Sequence, residues 1–431
     1  MIKDPALFNV NDVQFVMLSF EGPDLFSLAG GLGIRATELC KCLGRMGYGV
    51  HLYFIGDPEK PSSEIQDNVC LHRWCQWISA LNPGGCYMAE YEKVQDMAAS
   101  LPEALIGDVI APGVERGATT VIMAEEWQTI PTVINLRKAL RKHGLERRAI
   151  ILWNANNLYG FSEVNWKELE EACVITAVSR YMKHRMWMSG INPVVIHNGI
   201  PKHIINSVDK SDAAELRRIF PNLLLTKVGR YDVDKRWVMA VRSVGVMKLM
   251  GMRPTLIARG GKEFHRHEVL EEAARQNLSV KEIHLPAKAP KEQVFAELER
   301  CKDFDILELC FYVSEEFINI LYGGSDCVLA NSGHEPFGLV GLEVMACGGL
   351  AFVGATGEDY AQTMVNSVVI ETENELEIVE YIRTLMKDEG LQKKIRQAGK
   401  YTASHFTWDT IALDLMQKVR FLATTNGVLI G

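Results

Sequence analysis

Short apolar runs alternate with helical patterns along most of the chain. Val13–Ser19 (VQFVMLS) reads as a buried strand. A glycine-rich turn follows, then a helix from about Ile34 to Arg45 and a strand at Val50–Ile55. Thr120–Ala124, Ala149–Trp153, Cys173–Val178 and Val194–His197 continue the series. Strands spaced by helices of a dozen or so residues predict βαβ units and parallel sheets. The pattern pauses at His197–Asp212 and restarts with Leu223–Gly229. Thr255–Arg259, Ile283–Leu285, Ile306–Val313, Cys327–Ala330 and Leu350–Gly354 are the further candidate strands. The reading is two consecutive α/β halves with a hinge near Asn198–Asp212. Apolar residues at helical spacing over Trp408–Ala423 predict a closing helix.

Composition narrows this picture. The 431 residues suit two or three domains. Hydrophobic residues make up 48% and charged residues 23%, the mix of a globular protein rather than a disordered chain. The net charge of −8 argues against a nucleic-acid binder, which needs a concentrated basic surface. The start, MIKDPALFNVND, lacks the layout of a signal peptide. Phe337–Thr356 is the stretch nearest to a membrane span, but it holds Glu343 and several glycines. A buried helix and strand explain it better. The ten cysteines contain no CxxC pair, so they read as reduced thiols of a cytoplasmic protein.

Two turns recur in form. Gly30–Gly33 (GGLG) and Phe337–Gly341 (FGLVG) each carry glycine at a helix start followed by a strand. Such helix starts present free N–H groups, which suit anions. Glu335 and Glu343 bracket the second turn, eight positions apart in EPFGLVGLE. The apolar run around Glu343 implies burial, and a buried carboxylate needs partners. In the segment VGRYDVDK, a strand ends in Gly229-Arg230 and Lys235 follows. A guanidinium fork and an ammonium both suit a diphosphate. Asp232-Val233-Asp234 also spells a DxD triplet, a metal motif elsewhere, but the adjacent cations already supply positive charge.

Together these segments resemble the retaining family 4 glycosyltransferases of the GT-B fold. AGGLGIRATELCKCLGRMGYGVHLYF is similar to the family's first loop and helix, and TAVSRYMKHRM with VVIHNGIP to the end of its first domain. VGRYDVDKRW is similar to the start of the donor domain, and NSGHEPFGLVGLEVMACGG to the Glu-x7-Glu signature. The resemblance implies two Rossmann-like β/α/β domains facing across a cleft. It places an acceptor domain at residues 1–200, a nucleotide-sugar domain at 201–405, and a final helix at 406–431 packing back on the first domain. It also implies roles. Arg230 and Lys235 hold the donor diphosphate, Glu343 the ribose, and Glu335 the transferred sugar. The amides of Phe337, Gly338, Leu339 and Gly31 meet the donor. The base is read near Phe311–Val313, and Thr356-Gly357 forms the next glycine-rich turn.

The chain departs from the family pattern at three places. Leu28-Ala29-Gly30 lacks the lysine that bacterial glycogen and starch synthases carry in this loop. Asn156 stands where many relatives have histidine, and Gln128 replaces histidine in Glu126-Trp127-Gln128-Thr129. An amide can hydrogen-bond a hydroxyl but is no useful base. Asn156 and Trp127 are therefore acceptor-side candidates. No activated nucleophile pattern appears.

The implied reaction moves a sugar from a nucleotide-diphosphate sugar to an acceptor hydroxyl with retention. No metal or cofactor is expected. The partners are the donor and a carbohydrate, lipid-linked or small-molecule acceptor. A phosphorylase-like enzyme and a non-catalytic nucleotide-sugar sensor are the alternatives. A nicotinamide oxidoreductase would need GxGxxG, where this chain has AGGLG. Two basic stretches remain, Arg137–Arg148 and Arg180–Trp187. Each reads either as a solvated helix face or as a contact with an anionic membrane at the inner surface.

Overall fold

The computed structural model describes residues 8–430, apart from the side chain of Thr356. Most of the terminal stretch read above for a leader, residues 1–7, lies outside the described residues. The chain divides into two compact units. One runs to Gly199 and takes up the chain again from Trp408; the other is Ile200–Thr407.

The first unit is built on β1 (Val13–Leu18), β2 (Gly49–Ile55), β3 (Ser63–Gln66), β4 (Val69–Trp74), β5 (Thr119–Glu125), β6 (Ala149–Ala155), β7 (Val174–Ala177) and β8 (Val194–Val195). They form one sheet in the order β3-β4-β2-β1-β5-β6-β7-β8. Every pairing is parallel except the β3–β4 hairpin. All residues of β1, β5 and β6 are buried. Helices cover both faces of a parallel sheet, so its central strands read as largely apolar runs.

The hairpin carries no such signal. β3 is exposed throughout, and β4 alternates buried and half-buried residues. Neither strand is among the apolar runs. The closing helix, Trp408–Thr425, packs on the helix Gly31–Arg45 within this unit. Among the described residues, one helical stretch, Glu90–Glu115, is long and apolar enough to cross a membrane; half of its apolar window is buried inside the fold.

The second unit is built on β9 (Leu223–Val228), β10 (Pro254–Arg259), β11 (Val280–Ile283), β12 (Ile306–Leu309), β13 (Cys327–Ala330), β14 (Ala351–Gly354) and β15 (Val368–Ile370). The sheet is wholly parallel, in the order β11-β12-β10-β9-β13-β14-β15. Its side chains alternate between two cores. Leu223, Leu225, Leu256 and Ile306 join one, and Leu224, Ile257 and Leu307 join the other. Phe337–Thr356 is resolved as a helix, Leu339–Ala346, followed by β14.

Chain order reverses beside the first strand of each sheet. β1 lies between β2 and β5, and β9 lies between β10 and β13. In open parallel sheets the carboxyl ends at such a switch point leave a crevice where ligands bind. The segments after β9 and β13 are those carrying Arg230, Lys235 and Glu335.

Candidate active site

β9 ends at Val228, and Gly229 (φ +152°) turns the chain out of the sheet. Arg230 is exposed, and its carbonyl accepts the indole N–H of Trp237 at 2.8 Å. Asp232 then caps a single helical turn, Val233–Lys235, by accepting the Asp234 N–H at 2.9 Å. That turn carries Lys235, whose Nζ donates to Glu335 Oε1 at 2.7 Å. The Asp232 carboxylate of the DxD triplet is thus a local cap, and Asp234 lies 3.6 Å from His334.

Glu335 sits on the loop after β13. The Gly333 N–H on that loop donates to the Asp234 carbonyl at 2.7 Å, which draws the loop and the Lys235 turn together. Gly338 follows at φ +74°, a conformation that favours glycine. It opens the helix Leu339–Ala346 as an N-cap that has no side chain of its own to offer the first amides. Tyr360 Oη donates to the Gly338 carbonyl at 2.5 Å, and a Cβ on Gly338 would lie 3.0 Å from that same oxygen. Phe337 is buried against Tyr360 and Phe406. Its side chain therefore anchors the turn.

Glu343 is half-buried within this helix. Burial pushes its carboxyl up to about 7, and the charges of Glu315 and Glu335 act in the same direction. The phenol of the buried Tyr322 hydrogen-bonds it and opposes the shift. The pattern EPFGLVGLE implies a partner for this carboxylate but cannot say that Tyr322 supplies it.

β12 stops at Leu309, short of the expected Val313. Phe311 and Tyr312 line a cleft of about 620 Å³ with Arg259, Gly260, Glu263 and Arg266. Val313 does not line it; its side chain is buried in the second core, which leaves only its backbone to a ligand. Gly357 is buried in the short turn Ala355–Gly357, where the Thr356 side chain lies outside the described residues. Within the cleft, Arg266 pairs with both oxygens of Glu308 at 2.7 Å and with Glu282 at 2.5 Å. Glu282, His284 and Cys310 stand close enough to hold a metal ion, but Arg266 already places a cation among them.

Lys227 is a residue that motif reading passes over. It is buried on β9 and donates to the Leu329 carbonyl at 3.0 Å and to Asn331 Oδ1 at 2.6 Å. The signal was one lysine inside the strand LLLTKV.

In the first unit, the GGLG turn is already filled. Glu21 Oε2 accepts the N–H groups of Gly30 at 2.8 Å and Gly33 at 3.0 Å. Tyr87 Oη donates to Glu21 Oε1 at 2.6 Å. The expectation that both turns offer free amides to an anion is therefore corrected here: a buried carboxylate of the same chain takes two of them. Gly31 itself is exposed, and a Cβ there would meet nothing within 4 Å.

The ends of β5 and β6 carry a dense polar network. The buried Arg35 pairs with Glu125 at 3.0 Å and donates to Asn198 Oδ1 at 2.7 Å. Glu125 Oε2 also accepts Asn154 Nδ2 at 2.9 Å and Asn156 Nδ2 at 2.6 Å. Glu126 adopts φ +66° and accepts the Asn156 N–H at 2.6 Å and the Asn157 N–H at 3.1 Å. Burial first, and Glu125 in addition, push the Glu126 carboxyl up to about 8. Asn156 Oδ1 accepts Asn154 Nδ2 at 3.2 Å, so both ends of this amide are engaged inside the protein. Trp127 is half-buried and packs beside Gly160, where an added Cβ would lie 3.0 Å from its ring.

The basic stretch at residues 137–148 is tied down. Arg137 donates to the Ala172 carbonyl, Lys138 pairs with Glu168, Arg141 with Glu146, and Lys142 with Glu103. In the helix Arg180–Trp187, Met182 and Met186 face inward while Trp187 and Met188 are exposed.

Residues 291–402 match the family model for "Glycosyl transferases group 1", a span that includes Glu335, the Gly338 turn and Glu343. The D-inositol 3-phosphate glycosyltransferase of Salinispora arenicola is 29% identical over 99 residues, 22% of each chain. Its Salinispora tropica counterpart is 29% identical over 98 residues, 22% of this chain and 20% of that one. The match thus spans about a fifth of these relatives' length. Among solved structures, sucrose-phosphate synthase from Thermosynechococcus elongatus is similar over 96% of this chain and 100% of its own, with a TM-score of 0.64 at 16% identity. Anabaena Alr3699/HepE, solved in complex with UDP-glucose, covers 95% of this chain and 99% of its own, with a TM-score of 0.60 at 17% identity. A Burkholderia xenovorans trehalose-phosphate synthase, solved with glucose-6-phosphate, covers 95% and 100%, with a TM-score of 0.64 at 12% identity. The fold is the GT-B fold.

Proposed function

We propose that this chain is a retaining glycosyltransferase that moves a sugar from a nucleotide-diphosphate sugar to an acceptor hydroxyl. The observation carrying this reading is the Lys235–Glu335 pair at the switch point of the second sheet, beside a helix start. UDP-glucose, named in an Anabaena complex, is the first donor to test, and UDP, named in another, the first nucleotide.

In this reading, the donor diphosphate replaces Glu335 as the partner of Lys235. Arg230 adds a second cation at the end of the same strand. The amides at the start of Leu339–Ala346 face the phosphate, as a helix N-terminus favours. Fixed positive potential of this kind stabilises a leaving diphosphate as charge develops on it. Glu335, released from Lys235, accepts hydrogen bonds from hydroxyls of the transferred sugar. Glu343 titrates near neutrality, so it can both give and accept a hydrogen bond at the ribose. The acceptor proton passes to the departing phosphate, and attack occurs on the face that the leaving group vacates. In this scheme Lys235 and Arg230 carry the charge without a metal, and turnover is expected to survive EDTA.

The test is release of nucleoside diphosphate from UDP-, GDP- and ADP-sugars offered with simple sugar and sugar-phosphate acceptors. The anomeric configuration of the product is then read by NMR. Diphosphate release that depends on acceptor, with retention, supports the reading. Release that depends on phosphate alone marks a phosphorylase, and binding without release marks a sensor. Membrane contact by the Arg180–Trp187 helix has its own test in liposome flotation with anionic lipid. No salt-sensitive binding would sink that part alone.

A further inference from the structure

We infer that Lys227 is a positioning residue, which sets the loop Asn331–Glu335 from inside the sheet. The inference rests on the reading of Glu335 given above. Charged side chains are almost never fully buried unless paired. Lys227 is 2% exposed, and the acceptors of its ammonium among the described residues are neutral: the Leu329 carbonyl and Asn331 Oδ1. The ring of Trp237 lies 5.2 Å from its Nζ. Desolvation holds the amine well below the usual lysine range; Lys235 and Arg236 add to this and Glu335 opposes it.

The connectivity says what this group does. Lys227 is on β9, while Leu329 and Asn331 are on and just past β13, its parallel neighbour. The contact ties together the two strand ends that deliver Lys235 and Glu335. Above it, the Gly333 N–H bonds the Asp234 carbonyl, and Lys235 bonds Glu335. The two segments are therefore joined at three successive levels, with Lys227 at the root. Donor binding breaks the outermost join, because Lys235 must turn to the diphosphate. The loop carrying Glu335 then depends on the inner two. Gly354 packs so tightly on Ser332 that a Cβ there would collide with its carbonyl, so β14 braces the loop from the other side.

The test compares Lys227→Met, which keeps length and apolar bulk but donates nothing, with Asn331→Ala. The first readout is hydrogen–deuterium exchange across residues 329–337. Both variants are expected to speed exchange there at least ~10-fold, while the strands of the first unit keep wild-type protection. The second readout is turnover of UDP-glucose. Here kcat is expected to fall ~10–100-fold, the scale for a displaced catalytic group, with donor KM within ~3-fold of wild type. The double variant is expected to lose less than the sum of the two single ones, since the Lys227–Asn331 contact is shared between them. Wild-type exchange in the loop together with unchanged kcat in Lys227→Met would overturn the inference. If the wild type turns over no nucleotide sugar, the functional reading fails. The exchange data would then still decide whether Lys227 sets the loop.

Discussion

The two glycine turns of this protein have the same local form and opposite states. In each, glycines precede a helix beside a parallel strand. At Gly30–Gly33 the carboxylate of Glu21 accepts two amides and is itself held by Tyr87. At Gly338, among the described residues, the nearby carboxylate of Glu335 is turned to Lys235 rather than to the helix amides. At the first turn a carboxylate of the chain holds two amides; at the second the neighbouring carboxylate pairs with a lysine instead. Glycine spacing marks where an anion can sit, but the rest of the fold decides whether the protein fills the place itself.

The largest effect expected from breaking this contrast is at the open turn. Lys235→Ala, Glu335→Ala and Arg230→Ala should each cut nucleotide-sugar turnover at least ~100-fold, the scale for losing one preorganised electrostatic contact. Steady-state kinetics with the best donor checks this. At the closed turn, Glu21→Ala strips two amides of their partner and should cost ~1–3 kcal/mol in urea unfolding. If the turn is an anion site held shut by Glu21, added phosphate should raise the unfolding midpoint of this variant but not of the wild type.

A smaller effect concerns Glu343. Burial holds its carboxyl in the folded protein up at about 7, above the ordinary value of 4.5. Between these values the folded state binds more protons than the unfolded one, so this carboxyl's contribution to stability falls as pH rises from 4.5 to 7. Glu343→Gln should remove that slope, changing the difference between variant and wild type by on the order of 1 kcal/mol across the window. Thermal unfolding at stepped pH measures it. The smallest effect is on the basic helix of the first unit. Lys138→Ala and Lys142→Ala break exposed ion pairs and should move stability by less than ~0.5 kcal/mol.

Much of the architecture was legible because central parallel strands are largely apolar. β1, β5 and β6 are such runs, interrupted by few buried polar residues such as Gln14 and Asn154, and they emerge where the pattern puts them. β3 and β4 escaped because they form an antiparallel hairpin whose residues are exposed or alternate with His72 and Arg73. At the site, spacing brought Lys235, Glu335, Gly338 and Glu343 into view, because each lies in a short local pattern. Lys227 and Tyr322 act on residues outside their own motif, at Asn331 and Glu343, and Glu21 reaches Gly30 across a turn. No local pattern marks such a contact. Asn156 shows the converse. It was legible as an acceptor-side amide, yet Glu125 and Asn154 engage it from within.

The most direct test of the account is calorimetric titration of UDP, GDP and ADP into the wild type and Lys235→Ala. The account expects one of the three to bind the wild type and to lose at least ~10-fold in affinity in the variant, since the ammonium is the diphosphate's partner. Equal affinity in the two proteins would contradict the placement of the donor at the open turn.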